Sequence, residues 1–281
     1  MGNIKTFFLM TTLVFIFIIV GNFIGGTEGM KIAFWLAFVL NFFSYFFSDT
    51  MVLKHYKAKE VSQKSAPELY DIVAKLAKNA NLPMPRVYIV EDNVPNAFAT
   101  GRNPKHAAVA ATTGLLELMN KNEIEGVLAH EMSHVKHYDI LTSSVAATFA
   151  AAISMLSRFA GYRTNTSNKT RNNNALGALV GAVLMPLAAA IVQFAISRTR
   201  EYAADAGSAK LTGHPEWLIS ALEKLEAYSK RAVMKNVSPQ TAHFFIINPL
   251  AGVQSNLTSL FATHPATKDR IERLEKMTRN L

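Results

Sequence analysis

The chain contains no cysteine, which excludes disulfide bridges. It is also poor in charge: charged residues make up 17% of its 281 residues, against about a quarter in a typical soluble domain, while half of the residues are hydrophobic. The net charge of +9 is spread along the chain, and no basic array interleaved with aromatic residues accompanies it. We therefore attribute the charge to segments that flank a membrane and expect no nucleic-acid partner.

The apolar residues are gathered into blocks that predict membrane helices. Four blocks carry almost no charge: Thr6–Thr27, Ile32–Ser48, Ile140–Ala160, which only Arg158 interrupts, and Ala175–Ile196. The first and the last have the length of a bilayer-spanning helix, whereas the second is short for one. The first two blocks predict a retained helical hairpin, since no small-residue cleavage site follows the first. The third and fourth contain no ionisable residue at mid-depth, which argues against a transporter.

The run His130-Glu131-Met132-Ser133-His134 is an H-E-x-x-H sequence, and its spacing has a chemical meaning. Two histidines four apart lie on one face of a helix, so both imidazoles can bind a single metal ion. Glu131 is then placed to contact a water bound to that ion and to act as a general base. Catalytic zinc usually has three protein ligands and a water, so we expect a third ligand elsewhere in the chain.

The residues around this motif are apolar, which indicates a buried helix rather than a solvated turn. Burying two histidines and a glutamate without partners is costly, so the setting favours a metal site. Asn122 and Glu125 have capping-box spacing, which predicts that the helix begins just upstream. A continuous helix from Asn122 through Asp139 to Ala160 would be about 58 Å long and would hold the metal site just above the bilayer.

The polar segments between the apolar blocks are predicted to form one discontinuous α+β domain. Ser65 and Glu68 have capping-box spacing before an amphipathic stretch, which predicts a helix that ends at Pro83–Pro85. Alternation and helical periodicity predict three strands, Arg86–Val90, Asn96–Gly101 and His106–Thr112, and three further helices, Gly114–Met119, Pro215–Tyr228 and Pro265–Met277.

The best candidate for the third metal ligand lies just beyond the last apolar block. Glu201 and Asp205 are four apart and therefore on one helical face. At the helical rise of 1.5 Å per residue, Glu201 would stand about 7–8 Å above the bilayer boundary and His134 about 8–9 Å above it. The two side chains would therefore meet at similar height. From position alone, a salt bridge from Glu201 to Arg198 or Arg200 is an equally good interpretation.

Asp205 would be a natural partner for the second ring N–H of a ligating histidine, which would fix the tautomer of that ring. Other third ligands fit less well. The longer motif with a third histidine requires glycine at position 137 and histidine at 140, where this chain has His137 and Ile140. An acidic ligand within the last apolar block is excluded, because Ala175–Ile196 contains none.

Several stretches together resemble one protein family. The two-span N-terminal hairpin, Pro95–Ala99, the H-E-x-x-H run, Ser197–Gly207 and Thr263–Pro265 are similar to the bacterial HtpX heat-shock membrane metalloproteases, which are relatives of the CAAX prenyl proteases. The resemblance covers essentially the whole chain. Its most specific part is the stretch Arg200–Asp205.

This resemblance implies a fold, a mechanism and a place of action. Zinc would be bound by His130, His134 and Glu201, with Glu131 as the catalytic base. The fold would be that of a mainly α membrane protein, with four membrane helices and a discontinuous cytoplasmic zincin-like α+β catalytic domain. In the bacterial inner membrane the enzyme would degrade misfolded or damaged membrane proteins.

The resemblance also places two further segments near the reacting groups. In the family, the strand that corresponds to Asn96–Ala99 lies near the substrate, and the His264-Pro265 element lies near the metal. Main-chain pairing along Asn96, Ala97, Phe98 and Ala99 would hold an extended substrate with loose sequence preference. His264 would stabilise a developing oxyanion. Considered alone, Asn96 is more typical of a turn and His264 of a helix start.

The segments follow in order along the chain: the membrane hairpin 1–47, the first part of the catalytic domain 48–139, the second membrane pair with its polar connector 140–196, and the second part of the catalytic domain 197–281. Three lysines follow the second span and favour a cytoplasmic catalytic side: Lys54, Lys57 and Lys59. The connector between the third and fourth spans is basic and has no acidic residue, which contradicts that orientation. The resemblance favours the cytoplasm.

A membrane-embedded zinc-binding scaffold or adaptor without turnover is the alternative function. Such a protein would need the same metal ligands but would have no use for Glu131. The glutamate and the predicted exposed strand therefore favour the enzyme. Neither the natural substrate nor the oligomeric state follows from these motifs.

Overall fold

The computed structural model describes residues 2–146, 198–231 and 265–279. The described chain is mostly helical, with one four-stranded sheet. Most of the third apolar block, the whole of the fourth and His264 lie outside these residues, so the spans and the role expected of them stay predictions.

The N-terminal helix α1 (Gly2–His55) consists of two apolar halves that meet at Gly25–Gly26, where the backbone leaves the helical conformation. Gly26 has a φ of 57°, a left-handed value that glycine adopts without steric cost. The two halves lie antiparallel, since the Asn41 side-chain amide donates to the carbonyl oxygen of Met10 at 3.3 Å. The chain therefore reverses direction at the two glycines.

Within the described residues, one helical segment, Gly25–Phe47, is long and apolar enough to cross a membrane, and Thr6–Ile19 is a shorter apolar helix. The second helix is longer than its charge-free run because it includes Glu28 and Lys31, whose exposed side chains form an ion pair at 2.7 Å. Most large apolar side chains of this helix are exposed, as a lipid-facing surface requires.

The sheet contains four strands: β1 (Lys59–Val61), β2 (Arg86–Val90), β3 (Ala97–Gly101) and β4 (Ala107–Thr112). Their order across the sheet is β1-β2-β4-β3, with β2 and β4 parallel and the two outer pairs antiparallel. The three predicted strands are confirmed within one residue at their ends. β1 was not predicted, because three mostly exposed residues are too few to reveal an alternating pattern.

The sheet lies between the helical core and the end of the membrane hairpin. Successive side chains of a strand point to opposite faces, so each strand contributes side chains to the packing on both sides of the sheet. One face joins the main core through Val87, Ala97, Ala99, Val109 and Ala111. The other packs on the C-terminal end of α1 through Tyr88, Val90, Phe98, Ala108 and Ala110.

The remaining helices are α2 (Pro67–Ala80), α3 (Thr113–Leu118), α4 (Lys121–Lys136), α5 (described over 139–146), α6 (Arg198–Thr212), α7 (Pro215–Arg231) and α8 (Thr267–Thr278). The predicted cap of α2 is wrong. The helix starts at Pro67 with no side-chain cap, and the Ser65 hydroxyl instead accepts from the N–H of Ser62 at 2.9 Å. Proline at the first helical position has no N–H that needs an acceptor.

The predicted cap of α4 lies two residues too far along the chain. Asn120 is the N-cap, and it exchanges hydrogen bonds with Glu123 in a complete capping box. The Glu123 carboxylate also accepts from Lys224 on α7 at 2.7 Å. The predicted partner Glu125 is instead paired with Lys75 on α2 at 2.6 Å. The pairs Asn120–Glu123 and Asn122–Glu125 have equal spacing, and the contacts of each glutamate to a neighbouring helix determine which pair caps α4.

The continuous helix predicted from α4 into the third apolar block is also wrong. α4 ends at Lys136, Tyr138 has a φ of 62°, and a new helical stretch starts at Asp139. Residues five apart on an uninterrupted helix lie on different faces. The break is what allows Asp139 to turn back towards His134.

A close approach between α4 and α6 provides a test of this packing. A Cβ added at Gly207 would lie 2.2 Å from the Ser133 hydroxyl oxygen and 2.8 Å from its Cβ. We expect Gly207→Ala to separate the helices, to lower the free energy of unfolding by about 1–3 kcal/mol and to weaken metal binding. At a helix position without such a contact, alanine would raise the free energy of unfolding by about 1 kcal/mol relative to glycine. A decrease in that free energy would therefore show that the close approach to Ser133 matters.

Thermal unfolding and zinc titration of the purified full-length chain measure both effects. Ala203→Ser, which changes an exposed position of the same helix, is the control and should behave as the wild type. An unchanged or raised stability of Gly207→Ala with normal zinc affinity would contradict the proposed role of this contact.

Candidate metal centre

The two histidines of the motif lie side by side on α4. His130 is 1% exposed and His134 is largely buried, and their Nε2 atoms are 3.2 Å apart. α4 fixes both rings because it is capped at one end and packed against α2, α6 and α7. Two ring nitrogens so close, without a proton or cation between them, would repel each other. The positions of the two Nε2 atoms therefore favour a shared proton or a metal cation between them.

Glu201, in the first turn of α6, completes the cluster. Its carboxylate oxygens lie 3.7 Å from Nε2 of His130 and 3.6 Å from Nε2 of His134. One ligand atom from each of the three residues lies within 4.8 Å of the other two. Tetrahedral zinc with bonds of about 2.0–2.2 Å separates its ligand atoms by about 3.3–3.6 Å. The donor set and its spacing thus fit one zinc ion.

Asp205 lies one helical turn after Glu201 and contacts the other side of the His130 ring. Its Oδ1 is 2.9 Å from Nδ1 of His130, and both side chains are buried. Arg270 on α8, which is 1% exposed, donates to both oxygens of the same carboxylate, at 2.9 and 2.6 Å. Burial acts to raise the pKa of Asp205, but the Arg270 charge outweighs it and lowers that pKa to about 2.

Asp139 makes the equivalent contact with the second histidine. Its Oδ2 is 3.3 Å from Nδ1 of His134, and its Oδ1 accepts from Arg200 at 2.9 Å. Burial acts against the charged form of Asp139, but the hydrogen bond to His134 and the Arg200 charge lower its pKa. Each histidine of the cluster therefore faces a carboxylate, and each carboxylate is bound by an arginine.

Neither Asp139 nor Arg270 was predicted as a site residue from the sequence. Arg270 had a detectable signal, because it lies four residues before the buried Leu274 and thus on the apolar face of α8. Asp139 had none, since only the break at Tyr138 brings it to the cluster. In the structure the Arg200 guanidinium donates to Asp139 at 2.9 Å. A salt bridge from Glu201 to Arg200, the alternative interpretation of the sequence, would therefore have to share this guanidinium with Asp139.

The two histidines differ in how they hold a proton. Burial lowers the pKa of His130, even though Asp205 favours its charged form. For His134, burial also acts to lower the pKa, but the hydrogen bond to Asp139 and the negative charges of Glu201 and Glu131 outweigh it and raise the pKa to about 9. Without a metal ion, the positive charge of the pair at neutral pH therefore lies on His134.

Glu131 is buried beside this cluster and is oriented by the sheet. Its Oε2 accepts from the backbone N–H of Ala99 on β3 at 3.0 Å, and the residue is 8% exposed. Burial raises the pKa of Glu131 to about 7, with Glu201 adding to the effect and the charge of His134 opposing it. A carboxylate with a pKa near the working pH is suited to accept and return a proton.

The expected substrate-binding residues lie on and before β3, the last strand of the described sheet. Ala97 and Ala99 face the helical core, whereas the Phe98 ring packs against Tyr56 on the opposite face, with ring centroids 5.0 Å apart. Asn96 is buried, and its N–H donates to the hydroxyl of Thr112 at 2.8 Å. The structure thus brings the backbone of Ala99, but not the side chain of Phe98, to the cluster.

Comparison with known proteins shows the family to which the chain belongs. The sequence matches Peptidase family M48 over residues 63–278. The chain belongs to peptidase family M48. Protease HtpX homologs of Campylobacter curvus and Campylobacter hominis are 60% and 58% identical to it, over 97% and 100% of this chain and 96% and 100% of theirs. A third homolog, from Sulfurovum sp., is 51% identical over 99% of this chain and 100% of its own. The predicted resemblance to the HtpX-type membrane metalloproteases of this family is confirmed.

The M48 chain also resembles a solved structure in fold. The crystal structure of S. mikatae Ste24p aligns with a TM-score of 0.53 at 21% sequence identity and covers 96% of this chain. The chain spans 64% of the length of that protein. At this identity the likeness concerns the fold alone.

The pKa of His134 predicts the pH dependence of metal binding. A zinc ligand must be unprotonated, so binding displaces the proton of His134. With a pKa of about 9, the apparent zinc affinity should rise about tenfold per pH unit from pH 7 towards 9, whereas an unperturbed histidine would level off above about 6.5. Asp139→Asn removes a carboxylate that raises this pKa and should flatten the rise near neutral pH.

Competition titrations with a chromophoric chelator at several pH values measure this dependence. Asp49→Asn is the matched control, because Asp49 is also bound by an arginine, at 2.8 Å, but outside the cluster. Equal slopes for the wild type and Asp139→Asn would refute the role given to Asp139.

Replacing Glu201 tests the ligand set itself. Glu201→Gln removes the only carboxylate of the three-residue cluster, so zinc binding should fall by more than the roughly 10–100-fold typical of residues that only support a ligand. Zinc content after dialysis against submicromolar free metal measures the loss. Glu223→Gln, at an exposed position of α7, should retain the metal. Full occupancy in Glu201→Gln would exclude Glu201 as a ligand and direct attention to His137 or His264.

Proposed function

We propose that this chain is a zinc-dependent endopeptidase of the bacterial inner membrane that cleaves misfolded or damaged membrane proteins on the cytoplasmic side. The observation that carries the proposal is the convergence of His130, His134 and Glu201 beside the buried carboxylate of Glu131. Membership of a peptidase family supports turnover rather than a scaffold role.

Two imidazoles and one carboxylate are a donor set that suits catalytic zinc with one open position. Bound there, zinc would polarise the scissile carbonyl and lower the pKa of a bound water towards neutrality. The protein's part is to present both Nε2 atoms to the same point. Asp205 and Asp139, each at Nδ1 of one ring, favour the tautomers that leave those Nε2 atoms unprotonated.

Glu131 would act as the general base and then as the general acid. It would take a proton from the attacking water and return it to the leaving amine. The N–H of Ala99 holds one carboxylate oxygen at 3.0 Å, so the group is oriented before substrate arrives. Its burial removes competing water and keeps its pKa close to neutral.

β3 offers a main-chain edge for an extended substrate. Backbone N–H groups of a strand alternate in direction, so those of Ala97 and Gly101 point to the same side as that of Ala99, away from β4. Pairing along such an edge gives affinity with little demand on sequence, which suits the cleavage of damaged proteins. The Arg102 guanidinium, just after β3, donates to the carbonyl of Phe46 at 3.4 Å. This contact supports an edge that ends close to the membrane surface.

The proposed location rests on the candidate span and on charge. Gly25–Phe47 is apolar enough to cross a membrane, and the lysines that follow it favour a cytoplasmic catalytic side. The HtpX homologs align with this chain over nearly their whole length, which supports a common arrangement in the membrane.

Glu131→Gln tests the proposed chemistry. The amide keeps the shape of the side chain but cannot accept the proton, so casein cleavage should fall by at least about 10²–10⁴-fold while zinc content and melting temperature stay the same. The wild-type protein should also digest itself during purification once zinc is supplied. Cleavage by Glu131→Gln at a near wild-type rate would contradict the mechanism. A zinc-loaded wild type that cleaves neither casein nor itself would favour the scaffold.

A further inference from the structure

A cavity unrelated to the metal cluster lies where the end of α1 meets β2. Its volume is about 370 Å³, and its lining includes Leu53 and Lys54 from the last turn of α1, Lys57 just after that helix, and Arg86 and Tyr88 from β2. Leu53 is buried, whereas the two lysines and Arg86 are exposed. The cavity thus combines an apolar floor with a cationic rim.

If Gly25–Phe47 crosses the membrane, this cavity lies just beyond the lipid headgroups, within reach of its lysine side chains. The span ends at Phe47, so Lys54 stands about 10 Å further along the helix. The headgroup layer extends roughly 5–8 Å beyond the hydrocarbon, and a lysine side chain can reach back towards it. Arg102 lies over the Phe46 ring, 5.7 Å from its centroid, which places the sheet beside the same boundary.

Two of the cations around the cavity, Lys54 and Lys57, are available to bind an anionic ligand. Asp49 accepts from Arg86 at 2.8 Å, and Glu60 accepts from the hydroxyl of Tyr88 at 2.8 Å, so these acidic groups face Arg86 and Tyr88. Lys54 and Lys57 form no ion pair or hydrogen bond through their side chains within the described residues. The rim therefore carries three cations, Arg86, Lys54 and Lys57, against the two carboxylates of Asp49 and Glu60, which leaves it a net positive charge.

The backbone at Lys57 is unusual for a lysine. It has a φ of 51°, and its N–H donates to the carbonyl of Lys54 at 3.1 Å, so it terminates α1 in a left-handed conformation. Glycine is the usual residue at such a position. A lysine there interacts favourably with the dipole of the helix end, and its side chain also lies at the mouth of the cavity. Lys57 therefore has two candidate roles, one in ending the helix and one in binding a ligand.

We propose that this cavity binds the phosphodiester headgroup of an anionic phospholipid through Lys54 and Lys57. The apolar floor would contact the glycerol end of the lipid, and the two ammonium groups would bind the phosphate. Because β2 pairs with β4 and β4 with β3, a lipid held there would fix the height of the whole sheet above the bilayer. This site is independent of the metal cluster and of peptidase activity.

Binding of short-chain lipids to the purified full-length chain in neutral detergent tests the proposal. Dioctanoyl-phosphatidylglycerol should bind more tightly than dioctanoyl-phosphatidylcholine. Each lysine near a membrane contributes about fivefold in affinity, so the double variant Lys54→Gln/Lys57→Gln should lose roughly 25-fold at low salt, and less at high salt. The matched double variant Lys78→Gln/Lys121→Gln removes the same charge from exposed positions on α2 and α4 and should bind as the wild type.

Lys57→Gly separates lipid binding from the structural role. Glycine suits the φ of 51°, so the melting temperature should be maintained while phosphatidylglycerol affinity falls about fivefold. An unchanged affinity would mean that Lys57 only ends the helix and would overturn the proposal. Equal binding of the two lipids, or an equal loss in the Lys78/Lys121 control, would overturn it too. Inorganic phosphate that competes as strongly as the lipid would assign the cavity to free phosphate instead.

Discussion

The packing of α6 against α4 brings together groups that are far apart in the sequence. Gly207 lies where a Cβ would meet Ser133, and the Ser208 hydroxyl donates to the carbonyl of Gly126 at 2.7 Å. With the two axes held this close, the first turn of α6 delivers Glu201 to the histidines of α4. The next turn delivers Asp205 to the far side of His130. The metal cluster depends on this one interface.

Charge compensation makes such a buried cluster tolerable. Burying carboxylates or arginines singly is strongly unfavourable, whereas carboxylates held between an arginine and a histidine have partners for their lone pairs. Asp205 with Arg270 and Asp139 with Arg200 follow this arrangement on opposite sides of the cluster. A bound divalent ion would replace the proton that the raised pKa of His134 retains. Metal binding and protonation are therefore alternatives at one centre.

Local spacing makes the helix-borne part of the site predictable from the sequence. Two histidines four apart define a common face, and helical height indicates Glu201, although a salt bridge is an equal alternative from position alone. Asp139 is not predictable, because it depends on a left-handed Tyr138, a conformation that few residues other than glycine adopt. The cap of α4 is missed for a different reason. Two Asn-x-x-Glu pairs overlap there, and both glutamates bind neighbouring helices, Glu123 through Lys224 and Glu125 through Lys75, which the sequence does not show.

X-ray absorption at the zinc K-edge of the purified full-length chain tests the central claim most directly. The account predicts two imidazole nitrogens at about 2.0–2.1 Å and oxygen ligands, from Glu201 and one water, at about 2.0–2.2 Å. The same measurement on Glu201→Gln should show the loss of a carboxylate oxygen or of the metal itself. A site with three imidazoles, or one of six oxygen ligands, would contradict the assignment of His130, His134 and Glu201.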